Sequence, residues 1–351
     1  MITPSFDAAP PTLSLQPSPG FSSWLDEMQL SLAISTYQIG KLFLLGLNAG
    51  GRVSIFERTF DLCMGLAATA NGFFMSSRYQ IWRFENLLQY GQTYLDYDRL
   101  YVPQVGYTTG DCDVHDLAVG GDGRLVFVNT AFGCLCSLSE THSFRPIWKP
   151  PFISEYVAED RCHLNGLAMK DGEPAYVTAT SRSNVLDGWR DDRLSGGVLV
   201  DVAQNEIVAA GLSMPHSPRC YQGKLWLCLS GTGEFGSIDL DTGQFDRVSF
   251  SPGFLRGLAF HGDYAILGLS KPRHSKTFQG LPLDDALTRL QMEAKCGLEV
   301  VDLRSGHTVH SLYFDSLVDE LYDVMALAAV RNPMSIGFRS NEISHFIGMD
   351  L

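Results

Sequence analysis

The chain has 351 residues, 45% of them hydrophobic and 19% charged, so it can bury a large core; length alone suggests two or three domains unless the fold is a closed repeat. Its formal charge of −13 leaves no broad positive field for a phosphate backbone, which excludes a general role on nucleic acid or anionic membranes. No stretch approaches the roughly 20 uninterrupted apolar residues of a membrane span, and we expect a soluble, cytoplasmic protein.

Residues 1–31 read as an N-terminal arm. MITPSFDAAPPTLSLQPSPG lacks the basic start and apolar run of a secretory signal, and its prolines break such a helix. SSWLDEMQ reads as a short capped helix over one face. From residue 32 to 351 the chain repeats one plan: a polar or short residue, then Gly or Asp, then Leu-Ala, a turn, and an alternating apolar strand. The copies are MGLAATANGFFMSS (64–77), HDLAVGGDGRLVFVNT (115–130), NGLAMKDGEPAYVTAT (165–180), HSPRCYQGKLWLCLSG (216–231) and RGLAFHGDYAILGLS (256–270). STYQIGKLFLLGL (35–47) matches part of the fourth, and YDVMALAAV (322–330) resembles another opening strand. Cys134 and Cys136 lie two apart on one face of a strand, a spacing that could bind a soft metal; with no matching pair elsewhere they read as packing, and most of the eight cysteines as reduced core residues.

Second hairpins follow several copies, in SIDLDTGQFDRVSF (237–250) and EVVDLRSGHTVHSLYF (299–314), with turn residues that close tight connections. Charged insertions interrupt the pattern at 182–195 and 271–296, each between the second and third strands of its unit, and LDDALTRLQMEA in the latter has helical spacing. Strand-turn repeats averaging about 50 residues with period-two alternation predict a single all-β propeller of four-stranded antiparallel blades. Seven openings favour seven blades, the last closed by strands from both chain ends. Six is the alternative, because the first two openings stand close together and the C-terminal copy shows only two clear strands.

Innermost propeller strands run beside a central channel, so residues opening each strand converge. Alignment on Leu-Ala places Met64, His115, Asn165, His216, Arg256 and Asp323 in one column, with His163, Arg219 and Glu320 nearby. Simple packing would not choose such a ring beside strands of Leu, Ala, Val and Phe; it must be paired, hydrated or bound to something. His115, His163 and His216 suit a divalent ion, with Zn, Fe, Mn and Ca all open. Asp323 and Glu320 suit a base or extra ligand. Arg219, Arg256 and Asn165, together with Lys271 and Arg273 in the loop after an inner strand, suit an anionic substrate. The bland counterpart is a polar channel bridged by ordered water.

The openings of HNGLA type and the DLDTG and DLRSG turns resemble the NHL, gluconolactonase-type and strictosidine-synthase-type propellers. The run MPHSPRCYQGKLWLCLSGTGEF, then PGFLRGLAF, GLSKPR, CGLEVVDLRSG and ELYDV, resembles a bacterial family of conserved hypothetical propellers over nearly the whole chain. Likeness to the gluconolactonase type implies a cation ligand role for Asn165, although the acidic Glu-Gly-Pro motif of that group is missing. Likeness to peptidyl-hydroxyglycine lyases lies in the use of histidines from different blades. The expectation is a metal-dependent lyase, hydrolase or oxidoreductase acting on an anionic small molecule or peptide in the channel. The alternative is a non-catalytic propeller that binds a ligand or protein there. Nothing in the sequence reports on oligomeric state.

Overall fold

The computed structural model describes residues 13–272, 279–315 and 317–349. Six sheets form the blades of a propeller, so the alternative of the two blade counts is the observed one. Blade 1 runs outward from Asp323–Ala328 through Leu30–Ser35 and Lys41–Leu47 to Val53–Thr59. Blade 2 comprises Leu66–Ala68, Gly72–Ser76, Gln80–Asn86 and Arg99–Thr108. Blade 3 comprises Val114–Val119, Leu125–Asn129, Cys134–Ser137 and Arg145–Trp148; blade 4, Leu164–Lys170, Glu173–Ala179, Gly197–Asp201 and Glu206–Leu212. Blade 5 comprises Pro215–Tyr221, Lys224–Leu229, Glu234–Ile238 and Phe245–Phe250; blade 6, Phe254–His261, Tyr264–Ser270, Gly297–Asp302 and Thr308–Phe314.

The seventh opening dissolves into the first blade. YDVMALAAV supplies its innermost strand, which pairs antiparallel with Leu30–Ser35, Asp323 facing Ser35. The strand GKLFLLGL, which by likeness to GKLWLCL would be second in a blade, is therefore third. Sharing one sheet between the two chain ends completes the ring without an unpartnered half-blade, and only the outer strands of the blades remain as sheet edges. Two straps extend it. Leu15–Pro17 adds to the rim of blade 6, and Pro333–Ser335 pairs parallel with Arg99–Tyr101 on the rim of blade 2.

Burial falls from axis to rim. Lys224–Leu229 is buried beyond its first residue, whereas in Phe245–Phe250 only Ser249 is buried. Apolar clusters fill each of the six seams between blades; the seam between blades 6 and 1 also receives Phe21, Trp24 and Leu25 from the helix Phe21–Glu27. No helix among the described residues is long and apolar enough to cross a membrane. Cys134 and Cys136 are buried with sulfurs 3.5 Å apart, in the cluster that fills the seam of blades 2 and 3.

Hydroxyls tie the seams at a second level. A Ser or Thr stands at the end of the second strand of each blade: Ser35, Ser76, Thr130, Thr180, Ser230 and Ser270, all buried. All but Thr180 donate to a carbonyl at the start of the next blade, on Met64, Val114, Leu164, Leu255 and Leu321 respectively. Thr180 instead accepts from Asn165 Nδ2 of its own blade. Each bond to a neighbouring blade joins one blade to the next through a buried backbone carbonyl.

The Gly-Leu-Ala openings have a steric reason. Gly257 has φ +79°, and a Cβ there would lie 2.6 Å from Val324 N and 2.8 Å from Asp323 Cα. At Gly166 a Cβ would lie 2.3 Å from Pro218 Cδ. Inner strands of neighbouring blades meet here with no room for a side chain. Gly257→Ala is expected to lose roughly 2–4 kcal/mol, from left-handed strain plus overpacking. A urea midpoint shift below the equivalent of about 1 kcal/mol would contradict this close approach.

Candidate metal centre at the axial mouth

Three short segments enter the innermost strands of blades 3, 4 and 5 from one face of the ring. Asp113, Asp160, His163 and Met214 all have left-handed φ, between 42° and 51°. That turn redirects each incoming segment toward the axis. It costs a non-glycine residue of order 1 kcal/mol, and such strain is common where a side chain must be aimed.

The segments place Asp113, His115 and His163 together: one ligating atom from each lies within 4.8 Å of the others. The imidazole rings of His115 and His163 meet edge to face at 4.8 Å. His115 Nδ1 lies 2.9 Å from the Asp113 carbonyl, which only accepts, so Nδ1 carries the proton and Nε2 keeps its lone pair. His163 Nδ1 contacts the Asp160 carboxylate at 2.9 Å, and the same Oδ2 accepts from Trp189 Nε1 at 2.7 Å. A carboxylate or carbonyl behind an imidazole is the arrangement that orients a metal-ligating ring. Burial pushes His115 down to about 4 against the opposing pull of Asp113, so its imidazole is neutral at pH 7.

These groups line a chamber of about 170 Å³ together with Tyr37, Met64, Trp189, Arg190, Arg256 and Tyr322. Trp189 comes from the segment 182–195 and stacks on His163 at 4.2 Å. It also packs with Met214, Phe254, Leu281, Leu283 and Leu287, so both insertions share one apolar cluster beside the mouth. The Arg256 guanidinium lies 5.1 Å from the rings of both Phe254 and Tyr322, with Glu320 Oε1 at 3.8 Å. Burial holds the Tyr322 phenol well above its ordinary pKa, leaving it a neutral donor.

His115, Arg256 and Tyr322 form the floor, beneath which is a lobe of only about 10 Å³. Here the structure parts company with the column read from the sequence. His216 lines this lower lobe and is not in the Asp113–His115–His163 group: like His115 it turns Nδ1 to a backbone carbonyl, that of Met214, and also to Ser230 Oγ, but its ring faces the lower lobe and not the chamber. Arg219 is also below the floor, forked onto Asp116 at 2.8 and 3.1 Å, and its donors are spent there rather than on a ligand in the chamber. Asn165 exchanges hydrogen bonds with Thr178 and Thr180 in its own blade.

Asp323 accepts from the amides of Leu66 and Val324, and so bridges blades 1 and 2. Asp116 does the same from blade 3 to Leu167 of blade 4, and Ser217 from blade 5 to Gly257 of blade 6. Every second blade thus latches onto its successor. Glu320 does not line the chamber; it stands behind Arg256 and accepts from Gln38 N. Lys271 pairs with Asp319 at 2.6 Å and is likewise absent from the lining, since its partner holds it outward. Arg273 lies outside the described residues. Sequence alignment on Leu-Ala overlooked Asp113, Asp160, Trp189 and Tyr322. The short spacings Asp113-Val-His115 and Asp160-Arg-Cys-His163 were the available signal for the first two.

Acid should act on this region in a definite sense when no ion is bound. His115 has a folded pKa of about 4 against an ordinary 6.5, so the unfolded chain binds more protons between those values. Its share of stability is complete above pH 6.5 and is lost as pH falls toward 4, at about 1.4 kcal/mol per unit. Burial raises Asp323 from 3.8 to about 7, with Arg219 opposing and Asp116 adding. Its contribution has the opposite sign, present below 3.8 and lost as pH rises through 7. Asp323→Asn removes that offset. Urea unfolding at pH 4.5 and 6.5 should show a steeper acid loss for the variant than for the parent; an equal or shallower loss would refute the assignment.

The chain belongs to the family described as a domain of unknown function, DUF4915, whose model matches residues 19–336. Among solved structures it is similar to a chain of a nidogen/laminin complex, with TM-score 0.55 and 11% identity over 86% of this chain and 99% of that one. A protein of unknown function from Bacteroides caccae gives TM-score 0.49 and 12% identity over 85% and 98% of the two chains. Virginiamycin B lyase from Staphylococcus aureus gives 0.40 and 11% over 74% and 96%. The first of these likenesses supports the propeller fold. No curated protein matches the sequence.

Proposed function

We propose that this propeller is a metal-dependent enzyme that holds one divalent ion between Asp113, His115 and His163 and acts on an anionic small molecule or peptide at the axial mouth. The observation that carries the reading is the convergence of those three donors within 4.8 Å on the wall of a half-open chamber. Two imidazoles and a carboxylate suit Zn, Fe or Mn, whereas calcium prefers a shell made of oxygen alone. Such an ion supplies Lewis acidity or an acidified water.

The protein's own groups have distinct tasks in this scheme. Arg256, clamped between two rings with Glu320 behind it, presents a fixed guanidinium to an anionic group. Tyr322, held neutral by burial, donates a hydrogen bond from the floor. Asp323 and Glu320 support the chamber from outside its lining. Trp189 covers His163 and limits access of bulk water.

Elemental analysis of protein purified without an affinity tag tests the reading. About one equivalent of a transition metal, present as isolated or gained on titration, is expected. No stoichiometric metal in either case would overturn it. Stoichiometric metal without turnover of any small carboxylate or peptide substrate would favour the non-catalytic binding propeller.

A further inference from the structure

We infer that Asp160 is the positioning residue of this centre, joining His163 and the Trp189 indole of the segment 182–195 to one carboxylate, so that metal binding and the seating of that segment are coupled. The inference rests on the metal reading above and extends it to a residue that touches no reacting atom.

Three contacts support it. Asp160 Oδ2 accepts from Trp189 Nε1 at 2.7 Å and lies 2.9 Å from His163 Nδ1, while Oδ1 lies 3.1 Å from the same nitrogen. The indole and imidazole planes are 25° apart with centroids at 4.2 Å, so the ring that would ligate the ion is held on its edge by the carboxylate and on its face by the indole. Trp189 is anchored in turn by Leu281, Leu283 and Leu287 of the second insertion, and Arg193 donates to the Gln279 carbonyl, which links the insertions directly.

A histidine that could rotate about its χ angles would pay ordering entropy on ligation; one fixed on edge and face has already done so. Reciprocity follows from linkage. If a seated segment favours the ion, the ion favours the seated segment by the same factor.

The test uses the full-length protein with Zn²⁺ and Co²⁺ as probes. Asp160→Asn keeps the shape, and asparagine tolerates the left-handed backbone observed there at φ 42°. It should weaken Zn²⁺ binding by about 10–100-fold, the range for partners that orient a ligand. Trp189→Phe keeps the stack but loses the N–H, and should weaken binding less. Co²⁺ should quench tryptophan fluorescence in the parent, with most of the quenching absent from Trp189→Phe. Zn²⁺ should also slow proteolysis within 182–195 in the parent and not in Asp160→Asn.

Asp160→Asn that binds Zn²⁺ as tightly as the parent, or protection of 182–195 that is indifferent to Zn²⁺ in a parent that binds it, would overturn the inference while leaving the metal reading intact. A parent that binds neither ion would remove the metal reading itself. Should Asp160→Asn fail to fold, Trp189→Phe still decides: unchanged Zn²⁺ affinity together with unchanged Co²⁺ quenching counts against the coupling.

Discussion

Alanine at Asp113, His115 or His163 is expected to lower Zn²⁺ affinity by more than about 100-fold, whereas His216→Ala leaves it within a few-fold of the parent. The magnitude follows from chemistry: loss of a residue that merely orients a ligand costs about 10–100-fold, and loss of the ligand itself exceeds that. The contrast follows from geometry. Asp113, His115 and His163 bring their donors within 4.8 Å, while His216 is beneath the floor made by His115, Arg256 and Tyr322. From the sequence all three histidines were assigned to one ion, His115 and His216 in the aligned column and His163 two residues before its column position, Asn165. Isothermal titration of the four variants, with chelator-stripped parent as reference, decides the matter. Saturating Zn²⁺ should raise the melting temperature of the parent and of His216→Ala but not of the other three, since an ion that binds only the folded state stabilises it by mass action. Losses at the three histidines with Asp113→Ala unchanged would restore the three-histidine site and remove the one proposed here; equal losses in all four would contradict the exclusion of His216.

The second large effect is expected at the axis below. Asp116→Ala removes a carboxylate that holds Arg219 through two hydrogen bonds and caps the amides of Leu117 and Leu167. Asp116 is buried, and Arg219 would lose the carboxylate it is hydrogen-bonded to, leaving Asp323 as the other acidic group whose charge acts on it. Breaking a buried pair from one side costs about 3–5 kcal/mol, and with 23% of the Arg219 side chain open to water the lower end of that range applies here. With unfolding entropy near 2.1 cal/mol/K per residue, the whole range corresponds to a fall in melting temperature of about 4–7 °C for a chain of this size. Asp116→Ala combined with Arg219→Met should recover most of the loss, because the uncompensated charge is then gone. Additive losses in the double variant, or a single-variant loss below about 1 kcal/mol, would show that the pair is not what joins blades 3, 4 and 5 at the axis.

Much of the architecture was legible before any coordinates. Period-two alternation, Leu-Ala openings and turns such as Asp-Thr-Gly are local signals, and local signals are sufficient to specify a four-stranded antiparallel blade. The recurrence of Ser or Thr after the second strand was equally visible in FMS, VNT, TAT, CLS and GLS. Its meaning was not, because all of these hydroxyls but that of Thr180 are bonded to a carbonyl of the following blade, from 25 to 51 residues away in sequence.

Ring closure set the blade count. Strands at opposite ends of the chain, Leu30–Ser35 and Asp323–Ala328, belong to one sheet, and no periodicity distinguishes two half-blades from two whole ones. The same limit applied at the axis. Residue type and offset from Leu-Ala placed polar groups near the channel, which is a property of the strand. Depth along the channel depends on where each preceding loop turns, and the left-handed residues Asp113, Asp160 and His163 set that turn. Asp160 and Trp189, 29 residues apart in sequence, meet only because an insertion between two strands of blade 4 folds back over the mouth. The composition of the chain thus determined that there would be a polar axis inside an all-β ring; packing between blades and the path of the insertions decided which of its histidines share a site with a carboxylate and which are sealed beneath it.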